Sequence, residues 1–462
     1  MSHELWSWEA LAAACHGMPD GTLGGPITGV SIDTRTLQPG DLFVAITDVR
    51  DGHDFVPAAF AGGASAALVS FAYQRQPGDG ALLRTSDPLA ALEAIGQAAR
   101  ARTNARVIAV TGSVGKTGTK EALRACLSRL GRTHAAEKSY NNQWGVPLTL
   151  ARMPAGSEYA VIEIGMNHRG EIAPLARLAR PHAAIITTVE PVHIAYLGSL
   201  ENIAEEKADV FLGLEPGGIA IIKRDSPFFD LMRRRAEQQG ARLQSFGLHP
   251  EADIRGVAVK LEADGSEVSV RFDGEAFSYR LGIPGAHIVD NSLAIVSALI
   301  AVGADLKRAL PALAEMTAPQ GRGARTLVSR TDGEILLIDE SYNANPASMR
   351  AALAALGAVP RPRWPRRIAV LGDMLELGAG AAEMHIGLKE AIDAAGVDLV
   401  FACGPNMGEL FSMLDETQKG GWTKTSEELV PKVLSSVAIG DVVMIKGSLG
   451  SRMAPVVRAL AG

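Results

Sequence analysis

Between Val107 and Thr117 the chain reads Val-Ile-Ala-Val-Thr-Gly-Ser-Val-Gly-Lys-Thr, an apolar run broken by two closely spaced glycines and followed by residues that suit a helix. A segment of this kind folds as a buried strand, a tight turn and a helix N-terminus, the opening unit of a layered α/β domain. The first N–H groups of a helix lack intrahelical partners, so Gly112, Ser113, Val114 and Gly115 form the expected cradle for phosphate oxygens. Lys116 can neutralise those oxygens, and the Thr117 hydroxyl can ligate Mg²⁺. Only Ser113 and Val114 lie between the glycines, where the usual phosphate loop has four residues. The short form argues against a generic kinase, GTPase or transporter ATPase.

A chain of 462 residues exceeds one ordinary core, and the pattern divides it into three α/β domains. Residues 1–85 contain short strand-like pieces, 41–46 and 66–70, between Gly and Asp turns. A helical stretch, 88–102, leads into a central domain, 86–322, with apolar strands at 107–110, 159–162 and 183–186. Residues 252–281 alternate polar and apolar side chains, which predicts antiparallel strands inserted before a helix at 287–301. Strands at 335–338, 367–371, 399–402 and 442–445, separated by helices, make residues 323–462 a Rossmann-like third domain.

The net charge of −6 offers no general basic field, which excludes nucleic acid as the expected partner. Cys15, Cys126 and Cys403 lack metal or redox spacing and read as buried thiols of a reducing compartment. The N-terminus lacks the pattern of a signal peptide, and the longest apolar run, 293–304, is too short for a bilayer. The expectation is a cytoplasmic monomer without stable membrane insertion.

Glu163 ends a strand beside the one that feeds the phosphate loop, at the sheet edge where open α/β folds bind ligands, and a carboxylate there suits Mg²⁺. Its bland alternative is an exposed acid after a strand. Lys207, within Asn202-Ile-Ala-Glu-Glu-Lys-Ala-Asp209, reads by pattern as part of a solvated helix face with charge pairing. His193 alone is a poor Mg²⁺ ligand by chemistry, and Arg322 alone reads as a surface arginine.

The shortened loop resembles that of the Mur ligase family, which also includes folylpolyglutamate synthetase. Further segments match in order: 140–150 (YNNQWGVPLTL), 163–171 (EIGMNHRGE), His193 with Gly198 and Ser199, 284–291 (PGAHIVDN), Gly321-Arg322, 339–346 (DESYNANP), 371–378 (LGDMLELG) and 446–448 (KGS). Two of these, ESYNANP and GDMLELG, are similar to the D-alanyl-D-alanine-adding branch. The resemblance implies a UDP-binding first domain, a central ATPase domain and a third domain that receives the amine. It implies two Mg²⁺ ions at Thr117, Glu163, His193 and Lys207, the last carbamylated. It assigns Asn291 to adenine, Asp339 to the ATP ribose and Arg322 to the γ-phosphate. Ser31, Asp33 and Arg35, with Asn141, Asn142, Tyr342, Asn343, Asn345, Asp373 and Lys446, become substrate residues. The implied catalytic set is Lys116, Lys207, His193 and Arg322, and the implied substrates are ATP, UDP-N-acetylmuramoyl-tripeptide and D-alanyl-D-alanine. Lys138-Ser139 departs from the more usual Gly-Asn. Another amino-acid-adding ligase of this family and a regulatory nucleotide-binding protein are the alternative readings.

Overall fold

The computed structural model describes residues 4–462 except Gly24, His193, Ala263 and Pro319, and describes Ala195 and Ala379 by backbone alone. Three sheets follow one another along the chain. In the first, the spatial order is Met18–Asp20, Ala81–Thr85, Ala66–Ser70, Asp41–Val44, Gly29–Ser31, parallel apart from the Met18–Asp20 edge. Helix Pro88–Ala101 starts where the Asp87 carboxylate accepts the Leu89 and Ala90 N–H groups. It packs on both neighbours: Leu92 and Ile95 join the core of the first sheet, and Gly96 lies so close to helix Gly145–Ala151 that a Cβ would meet Pro147 O at 3.0 Å.

The central sheet has nine strands in the order Glu275–Leu281, Gly265–Phe272, Ile254–Glu262, Arg242–Gly247, Ile219–Lys223, Ala183–Ile186, Arg106–Thr111, Tyr159–Glu163, Thr133–Ala135. Only Gly265–Phe272 runs against its neighbours, so the alternating segment supplies the expected antiparallel strands. The strand of the phosphate loop sorts its side chains with period two. Ile108 and Val110 enter the core under helices Lys116–Ser128 and Ala286–Ala301, while Val107 and Ala109 enter the one under Ile172–Ala179.

The third sheet runs Ala324–Arg330, Gly333–Glu340, Asp441–Lys446, Arg366–Gly372, Leu399–Cys403, Lys419–Thr423. All are parallel except the first, which forms a hairpin with Gly333–Glu340. Its two edge strands were not legible in the sequence, because Ala324–Arg330 buries only Val328 and Lys419–Thr423 is Gly-rich. The three cysteines are buried and free. Among the described residues no helix is long and apolar enough to cross a membrane.

Candidate active site

The phosphate loop needs its glycines for space as well as for conformation. Gly112 has φ +145° and Gly115 φ +88°; a Cβ on the first would meet Thr187 Oγ1 at 1.9 Å, and on the second the Asn291 amide at 2.8 Å. Segment 187–190 braces the loop: Thr187 Oγ1 donates to Val114 O (2.6 Å), Val114 N–H to Thr188 Oγ1 (3.2 Å) and Ser113 Oγ to Glu190 O (3.0 Å). The Lys116 ammonium folds back onto Gly112 O (2.7 Å) and Ser113 O (3.4 Å). Burial lowers its pKa, the Glu163 carboxylate opposes that shift and Arg322 reinforces it.

Glu163 is 1% exposed, at the end of strand Tyr159–Glu163. Its Oε1 accepts from Asn141 Nδ2 (2.8 Å) and Thr117 Oγ1 (3.1 Å), and the Thr117 hydroxyl also lies 3.0 Å from Ser139 Oγ. Oε2 is buried without a hydrogen-bond partner. A buried carboxylate oxygen left unpaired costs about 1–3 kcal/mol, and a bound ion is one of the partners that satisfies such an atom in native proteins. A hard cation fits here: Thr117 Oγ1 and Glu163 are oxygen donors facing the phosphate cradle. Among the described residues no cluster of three His, Cys, Asp or Glu side chains could hold a metal.

Lys207 overturns the solvated-face expectation. Helix Leu200–Ala208 turns Glu201 outward but buries Glu206 and Lys207, the latter to 3% exposure. Charge spacing on one helix cannot reveal which turn the neighbouring elements cover. Glu206 accepts from Gly170 N–H (2.8 Å) and Ile172 N–H (3.0 Å), pinning the loop after Glu163. Burial, followed by the nearby Lys116 charge, pushes the Lys207 pKa well below the lysine range, with Glu206 opposing. His193 lies outside the described residues.

A cavity of about 520 Å³ joins the central and third domains. It is lined by Ser113 to Thr117, Asn141, Asn142, Glu163 and Asn291 on one side, and by Arg322, Tyr342, Asn343, Asn345 and Lys446 on the other. Arg322 stacks on the Tyr342 ring at 4.1 Å. Lys446 Nζ donates to Asn343 O (2.9 Å) and pairs with Glu340 (3.3 Å). Two cavity residues also have local work: Asn345 caps helix Pro346–Gly357 by accepting Ser348 N–H (2.9 Å), and Asn142 accepts Gly145 N–H (3.0 Å).

The remaining candidates stand apart from this cavity. Both Asp339 oxygens are engaged at the junction of the central and third domains, by Gly321 N–H (3.0 Å), Ser341 N–H (3.0 Å) and Ser341 Oγ (2.6 Å). Asp373 is buried and accepts Met407 N–H (2.8 Å) at the head of helix Pro405–Ser412. Ser31, Asp33 and Arg35 form a turn of the first domain, where the Arg35 guanidinium, 2.6 Å away, holds the Asp33 carboxyl below its usual range. Sequence reasoning missed the braces Thr187, Thr188 and Ser139, and the Lys223–Asp290 pair (2.6 Å) in the cavity wall. Hydroxyls and a surface-type ion pair carry no periodic signal.

Residues 110–299 match the Mur ligase middle domain, and residues 324–449 match the Mur ligase glutamate ligase domain. The UDP-N-acetylmuramoyl-tripeptide–D-alanyl-D-alanine ligase of Escherichia coli K12 is 36% identical over 443 residues, covering 95% of each chain. The Bacillus subtilis 168 protein with the same name is 32% identical, covering 96% of each. The crystal structure of MurF from Acinetobacter baumannii superposes with a TM-score of 0.85 at 27% identity, covering 100% of both chains. A phosphate loop of the short form, two matched domains and relatives of this similarity along nearly the whole length lead to one conclusion: the chain belongs to the Mur ligase family.

Proposed function

We propose that this protein joins D-alanyl-D-alanine to UDP-N-acetylmuramoyl-tripeptide with hydrolysis of ATP to ADP and phosphate. The observation that carries this reading is the partnerless Glu163 Oε2 beside Thr117 and the phosphate cradle, facing Arg322 and Lys446 across one cavity. The ligases of Escherichia coli and Bacillus subtilis that the chain resembles are named for these substrates. The tripeptide carboxylate attacks the γ-phosphorus of ATP, the bond to the β-phosphate oxygen breaks, and an acyl phosphate forms. The dipeptide amine then attacks the acyl carbon, and the tetrahedral intermediate expels phosphate as the nitrogen loses a proton.

Little covalent chemistry falls to the protein; it positions and neutralises. Lys116 swings from its own loop carbonyls to the phosphates, and Arg322, preoriented on Tyr342, meets the γ-phosphate from the junction of the central and third domains. Asn291, packed on Gly115, faces the adenine. Asp339 clasps the domain junction and reaches the ribose when those bonds rearrange. Ser31, Asp33 and Arg35 hold the UDP portion, and the third-domain residues Asn343, Asp373 and Lys446 shape the amine site. Thr117 and Glu163 would hold one Mg²⁺, and Lys207 as its carbamate, with His193, a second. When bound, these ions supply charge neutralisation at the transferring phosphoryl group. The burial of Lys207, which depresses its pKa and so favours the unprotonated amine, supports the carbamate: the amine lone pair attacks carbon dioxide, and loss of one N–H proton leaves a carboxylate-like anion.

Phosphate release with each substrate omitted in turn tests the proposal. Turnover should require both the tripeptide and D-alanyl-D-alanine; rapid turnover with neither would refute ligation and favour a simple nucleotidase. Product masses from diaminopimelate- and lysine-containing tripeptides read the preferred acceptor.

A further inference from the structure

Lys120 follows Lys116 by one turn on the phosphate-loop helix and points into protein rather than toward the cleft. Its side chain is fully buried, and its ammonium donates to Ala136 O (2.5 Å), Lys138 O (3.3 Å) and Glu121 Oε1 (2.8 Å). Three partners match the three donors of an ammonium. Without that ammonium the Ala136 and Lys138 carbonyl oxygens would lose their donor, so Lys120 ties the segment that carries them to the phosphate-loop helix. The carbonyls it holds belong to segment 136–144, which has neither helix nor strand. That segment carries Ser139 and Asn141, which contact the Thr117 hydroxyl and Glu163 Oε1 and leave Oε2 of Glu163 free.

We propose that Lys120 is a positioning residue for the divalent cation, clamping segment 136–138 so that Ser139 and Asn141 hold Thr117 and Glu163 in ligating order. The inference rests on the reading that a cation binds at Thr117 and Glu163. Lys120→Met keeps most of the buried stem and removes every donor. Its probe is Mn²⁺, titrated by electron paramagnetic resonance into the full-length protein saturated with ADP. Disturbing the outer partners of metal ligands weakens metal binding about 10–100-fold. The expected result is a rise of at least about tenfold in the Mn²⁺ Kd. Metal-free ADP affinity should stay within about threefold, while the urea midpoint falls because the Ala136 and Lys138 carbonyls lose their donor. If Lys120→Met does not fold, Lys120→Gln, which retains one donor for Ala136 O, should show the same selective loss at smaller size. Parental Mn²⁺ affinity in a folded variant, or equal loss of metal and ADP binding, overturns the proposal. A parent protein that binds Mn²⁺ and ADP but does not ligate refutes the ligase reading and leaves this one standing.

Discussion

Replacing Glu163 by Gln separates what this residue does for the fold from what it does for the site. The change is nearly isosteric. The side-chain carbonyl can still accept from Asn141 Nδ2 and Thr117 Oγ1, now 2.8 and 3.1 Å from Oε1, while an amide NH₂ takes the place of the partnerless Oε2. The negative charge is lost at a position 1% exposed. Hydrogen bonds and contacts to a charged group contribute about 1.5–3 kcal/mol, so cation affinity should fall by roughly 10- to 150-fold. Stability should move the other way. An unpaired buried carboxylate oxygen costs about 1–3 kcal/mol in the apo protein, and removing its charge relieves part of that cost. Calorimetric titration of Mg²⁺ into the ADP complex and urea melts of the apo protein measure the two effects. Weaker metal binding with equal or greater apo stability is expected. Unchanged metal affinity, or a large loss of apo stability, would refute the assignment of Glu163 as a ligand held in an incomplete shell.

Lys207→Ala should abolish ligation, and because Lys207 is buried it also opens a cavity that a short carboxylate such as acetate can enter; activity at the parental rate without rescue agent would remove Lys207 from the site. Arg322→Ala deletes the charge stacked on Tyr342 and should lower kcat on the order of a hundredfold or more with ADP affinity less affected, as read by steady-state kinetics and titration. His385, fully buried, pairs Nδ1 with Ala381 O (2.6 Å) and accepts Met374 N–H at Nε2 (2.9 Å), and burial depresses its pKa. The unfolded chain therefore takes up the proton first: stability is complete above about pH 6.5 and declines below it, by at most about 1.4 kcal/mol per pH unit. Urea melts should show a smaller acid loss in His385→Gln than in the parent, and identical pH slopes would contradict this.

Local chemistry made much of the protein legible before any fold was known. The strand, glycine turn and Lys-Thr helix start required a phosphate-loop βα unit, and the apolar runs located most parallel strands, because both signals depend on a few adjacent residues. The antiparallel insertion was legible for the same reason, its alternation marking strands with one wet face. Tertiary structure decided the rest. Lys207 reads as a solvated helix charge until the packing of its neighbours buries it and depresses its pKa. Asp339 sits in a recognisable motif, yet one of its carboxylate oxygens is engaged by the Gly321 N–H, which only the folded backbone brings within reach. The brace from Thr187 and Thr188 and the clamp at Lys120 join residues far apart in sequence or send a side chain away from the site its helix serves. Sequence pattern reports which faces are apolar and which turns need glycine; which buried polar atom finds a partner, and which is left open for a ligand, depends on distances set by three packed sheets.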